Sequence, residues 1–122
     1  MRYQEDKLTE AIISRIIKVH QALGPGFLES IYQRALILDL GLASMRFETE
    51  KEVVILYSGI EVGRHRLDLL VEEMVVVEIK AVQELSTVHY AQVRSYLKAT
   101  GLPVGLLVNF SKPHADYRRI EL

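Results

Sequence analysis

The chain has 122 residues, no cysteine and a formal net charge of −1, with 49% hydrophobic and 25% charged residues. These numbers suit one globular domain, and they exclude disulfides, thiolate zinc sites and cysteine nucleophiles. A protein that holds nucleic acid through phosphates alone is usually strongly basic. Any such contact here must therefore come from a local patch or be brief and metal-assisted. We expect a single domain over residues 1–122.

The N-terminal segment, MRYQEDKLTE, carries acidic residues early and has no apolar region of the kind found in signal peptides. The longest apolar runs, such as 74–77 and 104–108, are too short to span a bilayer. We therefore expect a cytoplasmic protein that makes no membrane contact.

Apolar residues at helical spacing predict two helices in the first third of the chain. The first runs from about Glu5 to Leu23, and Gly24-Pro25-Gly26 then breaks it. The second covers roughly Phe27 to Leu40, with Gly41 where a C-cap glycine belongs.

The rest of the chain alternates between strand patterns and one further helix. Strands are predicted at 51–57, 60–71, 74–81, 104–110 and 117–122, with a tight turn at 58–59 and a helix from 86 or 87 to about 99. The order is α-α-β-β-β-α-β-β. It predicts an α/β fold with a mixed sheet of four to five strands flanked by helices.

The third predicted strand carries the first candidate site. Side chains alternate along a strand, so Glu78 and Lys80 share one face of the segment 74–80. Burying such charges at the end of an apolar strand is costly unless they are paired or bind a metal.

Asp68, on the preceding strand, joins this site only in one register. If Glu72-Glu73 formed a two-residue turn, Asp68 would lie opposite Val77 and Glu78 would point to the other face. If the loop holds three residues, 72–74, Asp68 lies opposite Glu78 on the same face. We predict the second register.

Two carboxylates, from Asp68 and Glu78, with a backbone carbonyl such as that of Ile79, suit Mg²⁺ or Mn²⁺. Such an ion polarises a phosphoryl oxygen and activates water, and Lys80 could orient that water or stabilise developing charge. The competing interpretation is a structural Glu78–Lys80 ion pair with Asp68 solvated.

Polar residues on two predicted helices extend the candidate site. Gln92 and Tyr96 are four residues apart and share a helix face, from which both could bind a phosphate or a metal-bound water. Glu29 lies in the first turn of the second helix. It could be a further metal ligand, or it could be present there simply because the helix dipole favours an acid. His20 could contact a phosphate or support a residue that does, although a surface or packing role is the more common one for such a histidine.

These motifs together resemble a known family. The matching segments are Gly26-Phe-Leu-Glu29-Ser-Ile-Tyr32, Asp68-Leu-Leu-Val71, Glu78-Ile-Lys80-Ala81, Gln92 to Leu97 and Gly105 to Phe110. The first is the G-x-x-E-x-x-Y signature of the GxxExxY family, which is placed in the PD-(D/E)XK nuclease superfamily. The resemblance implies a restriction-endonuclease-like α-β-β-β-α-β core, in agreement with the order above.

The resemblance also implies roles for individual residues. It makes Asp68 and Glu78 metal ligands, Lys80 the catalytic lysine and Glu29 the acid supplied by an early helix. Gln92 and Tyr96 resemble the Q-x-x-x-Y motif of RecB-type nucleases, which positions substrate and metal. Leu67 stands where the superfamily label has a proline, a position that is loosely held.

The leading hypothesis is a Mg²⁺- or Mn²⁺-dependent nuclease that hydrolyses DNA phosphodiesters with weak sequence specificity, aided by a dimer mate or a partner protein. Its expected substrate contacts are His20, Tyr32, Arg66 and Arg94, within a wider basic set of Arg64, His65, Lys98, Arg118 and Arg119. A non-catalytic interaction or regulatory module that keeps the fold is the alternative. A third option is hydrolysis of RNA or small phosphoesters.

Overall fold

The computed structural model describes residues 2–122. Its helices are α1 (Arg2–Leu23), α2 (Glu29–Leu42) and α3 (Thr87–Thr100). Its strands are β1 (Phe47–Tyr57), β2 (Ile60–Val71), β3 (Val75–Lys80), β4 (Val104–Asn109) and β5 (Asp116–Ile120). The element order and the α/β class predicted from the sequence are confirmed.

The strands form one five-stranded mixed sheet in the order β1-β2-β3-β4-β5. Neighbouring strands are antiparallel except β3 and β4, which are parallel and joined through α3. A parallel pair needs such a crossover, which is why a helix separates these two strands in sequence. At the far end of the β1–β2 hairpin, Ser58 and Gly59 both take positive φ, at 51° and 75°, as a two-residue hairpin turn requires.

Several element boundaries differ from the prediction, most clearly those of β1 and α2. β1 begins at Phe47 because residues 47–49 pair with 69–71, and Phe47 and Thr49 are residue types that favour strands. α2 begins at Glu29, after an extended Leu28. Gly41 lies inside α2 instead of capping it, and Ser44 takes the left-handed conformation just beyond the helix end.

Helices cover both faces of the sheet. On one face, α1 and α2 contribute Ile12, Ile16, Leu36 and Leu40 to a buried cluster with the odd-numbered residues of β3 and the even-numbered residues of β4. On the other face, α3 packs on Val76 of β3 and on the odd-numbered residues Gly105 and Leu107 of β4. β3 and β4 are therefore apolar on both faces, as is usual for parallel strands. No helix within residues 2–122 is long and apolar enough to cross a membrane.

A glycine lets α3 approach the sheet closely. A Cβ atom placed on Gly105 of β4 would lie 2.6 Å from Val93 Cγ1 and 3.7 Å from Leu97 Cδ2, both on α3. The valine side chain is stiff and fully buried, so it cannot move aside cheaply. The height of α3 above β3 and β4 therefore depends on the missing side chain.

We expect Gly105→Ala to lower the free energy of unfolding by about 1–3 kcal/mol, because it overpacks the contact with Val93. Gly41→Ala is the matched control. Nothing lies within 4 Å of that position, so the change should be neutral or stabilise α2 by up to about 1 kcal/mol. Urea denaturation measures both, and Val93→Ala should partly rescue Gly105→Ala. Equal effects of the two glycine variants would contradict this packing argument.

Candidate active site

Asp68 and Glu78 meet where β2 and β3 separate. The ladder pairs Leu69 with Val77, so the next step of the same register sets Asp68 opposite Glu78. β2 ends at Val71 and β3 starts at Val75, which confirms the predicted three-residue loop. The register on which the candidate site depends is therefore the one the sequence favoured.

Side chains replace the backbone ladder at this step. The Asp68 N–H donates to Glu78 Oε1 at 3.1 Å, and the Ile79 N–H donates to Asp68 Oδ2 at 3.0 Å. Each carboxylate thus accepts a backbone hydrogen bond from the opposite strand. These reciprocal bonds fix both side chains in position while the two strands diverge.

A kink in the β1–β2 hairpin turns Asp68 toward β3. Leu67 packs in the cluster under α3, but Leu69 packs in the cluster under α1 and α2, although alternation would place both on one face. On β1, the ladder with β2 skips Glu50, which has a φ of 51°. Asp68 therefore sits at the switch between faces, and α2 supports it there because Gln33 Nε2 donates to the Asp68 carbonyl at 3.2 Å.

Burial makes ionisation of this acid pair costly. Glu78 is only 3% exposed. Burial, and to a smaller extent the charge of the nearby Asp68, raises the pKa of its carboxyl to about 8. Burial also raises the pKa of Asp68, partly offset by the hydrogen bond from Ile79. Without a cation, the pair therefore tends to retain a proton near neutral pH.

Lys80 follows Glu78 on the same face of β3. Its positive charge lies close enough to lower the pKa of both carboxyls, although less than burial raises them. The ion pairs formed within residues 2–122 do not include Lys80. The ammonium group is thus near the acid pair without being locked to it, which argues against a purely structural Glu78–Lys80 bridge.

α3 brings Gln92 and Tyr96 to the same place. Burial raises the pKa of Tyr96 to about 12, and the charge of Glu78 adds to the effect, whereas a hydrogen bond with Gln92 opposes it. The hydroxyl therefore stays protonated at neutral pH and can donate a hydrogen bond. Gln92 and Tyr96, whose four-residue spacing predicted a shared helix face, thus lie on the same side of the acid pair.

Glu29 lies at the rim of the site. Its Oε2 accepts a hydrogen bond from the Ala81 N–H at 3.3 Å, which ties the start of α2 to the end of β3 directly after Lys80. Among residues 2–122, no cluster of three or more His, Cys, Asp or Glu side chains is arranged to hold a metal ion. The structure thus joins two of the three expected metal ligands, and coordination by Glu29 stays a prediction.

Tyr32 and His20 are buried on the other face of the sheet. The Tyr32 hydroxyl donates to the Gly24 carbonyl and accepts from the Phe27 N–H at 3.2 Å, and its ring stacks on Phe110 at 4.4 Å. His20 Nε2 lies 2.7 Å from the carbonyl oxygen of Lys112. Both side chains hold loops in place, so the structure does not favour the substrate contacts expected of them.

Arg66 and Arg94, the other expected substrate contacts, are exposed residues of β2 and α3, and their contact with a substrate stays a prediction. Arg66 precedes Asp68 by two residues on β2, and Arg94 follows Gln92 by two residues on α3. Both guanidinium groups are accessible to solvent and free of the core, as a phosphate contact requires.

Sequence reasoning missed some supporting residues. Asn109 is fully buried and holds the segment after Lys80 by accepting from the Val82 N–H at 3.1 Å and donating to the Val82 carbonyl at 2.8 Å. Glu50 adds negative charge beside Asp68 and raises its pKa slightly further. A buried polar residue ending an apolar strand was a usable signal for Asn109, but Glu50 sits in a charged run and gave none.

Comparisons with known proteins agree with this geometry. A family model described as the PD-(D/E)XK nuclease superfamily matches residues 6–120. Among solved structures, the crystal structure of SSO0001 is similar, with a TM-score of 0.59 and 24% sequence identity. That match covers 75% of this chain but only 48% of SSO0001, so the chain spans about half the length of that protein. A search of curated proteins found no match.

The acid pair generates a prediction about the metal-free protein. Because the Glu78 pKa is raised on folding, the folded state binds more protons than the unfolded state between its ordinary pKa and about 8. The free energy of unfolding should therefore fall as the pH rises through this window and level off above it. Glu78→Gln, which is neutral and of similar shape, should flatten the fall and be more stable than wild type by about 1–3 kcal/mol near pH 9.

Urea denaturation in the presence of a chelator, between about pH 5 and pH 9, measures this difference. Glu73→Gln is the control, because Glu73 is an exposed acid in the turn between β2 and β3. An equal pH dependence of wild type and Glu78→Gln would show that the Glu78 carboxyl ionises normally.

Proposed function

Because the chain belongs to the PD-(D/E)XK nuclease superfamily, we propose that it is a Mg²⁺- or Mn²⁺-dependent nuclease built on Asp68, Glu78 and Lys80. The observation that supports this most is the reciprocal bonding of Asp68 and Glu78, with Lys80 beside them. A purely structural role would not require a buried acid, Glu78, and a partly buried one, Asp68, to lie together at an unfavourable electrostatic cost.

The donor set fits a hard divalent ion. PD-(D/E)XK nucleases typically use divalent metals, and two carboxylates with a nearby backbone carbonyl are oxygen ligands of the kind Mg²⁺ and Mn²⁺ prefer. Such ions keep several waters, so two carboxylates suffice without a third acid. The positive charge would also relieve the repulsion that raises the pKa of Glu78.

A bound divalent ion would supply Lewis acidity, which polarises a phosphoryl oxygen and lowers the pKa of water. The side chains of the chain then have separate tasks. Lys80 stabilises negative charge that develops on the phosphate and orients the attacking water. Tyr96 and Gln92, which remain neutral donors, position a phosphate oxygen beside the acid pair.

The substrate we propose is DNA, cut with weak sequence specificity. Arg66 and Arg94 are exposed cations two residues in sequence from Asp68 and Gln92, and guanidinium contacts to phosphates carry no sequence information. We also propose the finer assignment to the GxxExxY family, on the motif formed by Gly26, Glu29 and Tyr32. Delivery of the substrate by a second copy or a partner protein stays a prediction.

Lys80→Ala tests this function directly. The variant should lose cleavage of DNA by about a hundredfold or more, because the lysine acts on charge that develops in the transition state. It should keep the rise in melting temperature that Mn²⁺ produces, since the carboxylates remain. Asp68→Asn should lose both properties, and Lys18→Ala, on the far face, should keep both.

The assay compares single-stranded, double-stranded, linear and circular DNA in Mg²⁺ or Mn²⁺. Equal cleavage by wild type and Lys80→Ala would contradict the role of Lys80, and equal cleavage by Asp68→Asn as well would mean that a contaminant cuts the DNA. A wild-type protein that shows neither cleavage nor a metal-dependent rise in melting temperature would favour the non-catalytic interaction module. Cleavage confined to RNA would change the substrate and leave the chemistry intact.

A further inference from the structure

A groove of about 440 Å³ lies between the β1–β2 hairpin and α3. Residues 54–56 of β1 form its apolar wall. Ser95, Lys98 and Ala99 of α3 form the opposite wall, and His65 of β2 also lines it. This volume is typical of a small-molecule binding site. One wall of the groove is apolar, and the other carries a cation.

The charge of this groove differs from that of the whole chain. The net charge is −1, yet none of the residues that line the groove is acidic, and Lys98 is exposed there. Arg94 is also exposed, one helical turn before Lys98 and therefore on the same side of α3. The nearby acids Glu52 and Glu61 instead pair with Arg64, at 3.4 and 3.1 Å.

The groove lies next to the candidate active site. The His65 ring meets the Tyr96 ring edge-to-face, with centroids 5.0 Å apart. Tyr96 in turn lies within the electrostatic influence of both Glu78 and Asp68. One end of the groove is thus separated from the acid pair by only these two side chains.

The hairpin presents apolar surface along the groove and beyond it. Leu56 is 62% exposed, and Tyr57, the last residue of β1, is 74% exposed. Single-stranded nucleic acid is bound by this combination of cations along the backbone and apolar or aromatic faces for the bases. Bases in a duplex are stacked and cannot offer their faces to such a wall.

We propose that this groove binds a single strand of nucleic acid at the point where the strand leaves the acid pair. Lys98 contacts a phosphate of this strand, and Leu56 and Tyr57 contact base faces. The proposal rests on the nuclease function proposed above, because it uses the groove to guide a strand whose phosphate lies at Asp68 and Glu78. It makes single-stranded nucleic acid, or the single-stranded end of a duplex, the preferred substrate.

Binding of a fluorescent oligothymidine to the full chain, measured by anisotropy without divalent metal, tests the groove separately from catalysis. Lys98→Ala should weaken binding about five- to tenfold at low salt and lower the slope of log Kd against log salt by about 0.7. Ala99→Lys, which adds a cation to an exposed groove position, should strengthen binding. Arg34→Ala, an exposed cation on α2, should change nothing.

Leu56→Ser should weaken binding of the oligothymidine without changing its salt dependence, because it removes an apolar contact and no charge. Each of these groove variants should change the affinity for a blunt duplex by a smaller factor than it changes the affinity for the oligothymidine. An RNA oligonucleotide of matched length distinguishes DNA from RNA, since both present the same phosphates and base faces.

Two results would overturn the proposal: equal effects of Lys98→Ala and Arg34→Ala, or no strengthening by Ala99→Lys in a folded protein. If these occur while Lys80-dependent cleavage persists, the groove fails and the nuclease function stands. If the groove variants change binding as expected but no Lys80-dependent cleavage is found, the nuclease function fails and the strand-binding groove stands.

Discussion

The reciprocal hydrogen bonds of Asp68 and Glu78 are the constraint around which the candidate site is organised. Where β2 and β3 part, each carboxylate accepts a backbone N–H that has lost its ladder partner. This satisfies donors that would otherwise be buried and unpaired. It also holds two acids together in a place where their ionisation is opposed by burial and by each other. The same hydrogen bonds that satisfy the ends of these two strands therefore also hold the acids in an arrangement that favours a cation.

Residues far apart in sequence keep this arrangement in place. Gly105 lets α3 lie low over the sheet, which sets the position of Tyr96 beside the acids. Asn109 fixes the chain after Lys80 through two hydrogen bonds to Val82. On the other face, Tyr32 closes the loop before α2, so that Glu29 can reach Ala81. The site thus depends on both cores of the sheet, although its acids come from only two strands.

The sequence predicted the order of elements and the register of β2 and β3 because both follow from local patterns. Alternating side chains and a three-residue loop at 72–74 were enough to set Asp68 opposite Glu78. The switch of faces at Asp68 was not predictable, since the positive φ of Glu50 has no local signature in a run of charged residues. The buried role of Tyr32 was missed for a related reason: a motif identifies a residue but does not say whether its hydroxyl bonds a ligand or a loop.

A net charge near zero is compatible with nucleic-acid binding if cations that pair with neighbouring acids are distinguished from cations that are exposed to a ligand. Arg64 and Arg119 are held by neighbouring acids, with distances of 2.8–3.4 Å, and contribute little attraction at long range. Arg94 and Lys98, by contrast, are exposed on one side of α3, where Lys98 lines the groove between this helix and β1. Affinity would then come from a few local phosphate contacts and from a cation at the acids, not from a general basic field. Such a protein should hold nucleic acid weakly along its length and engage it mainly where a strand can enter the groove.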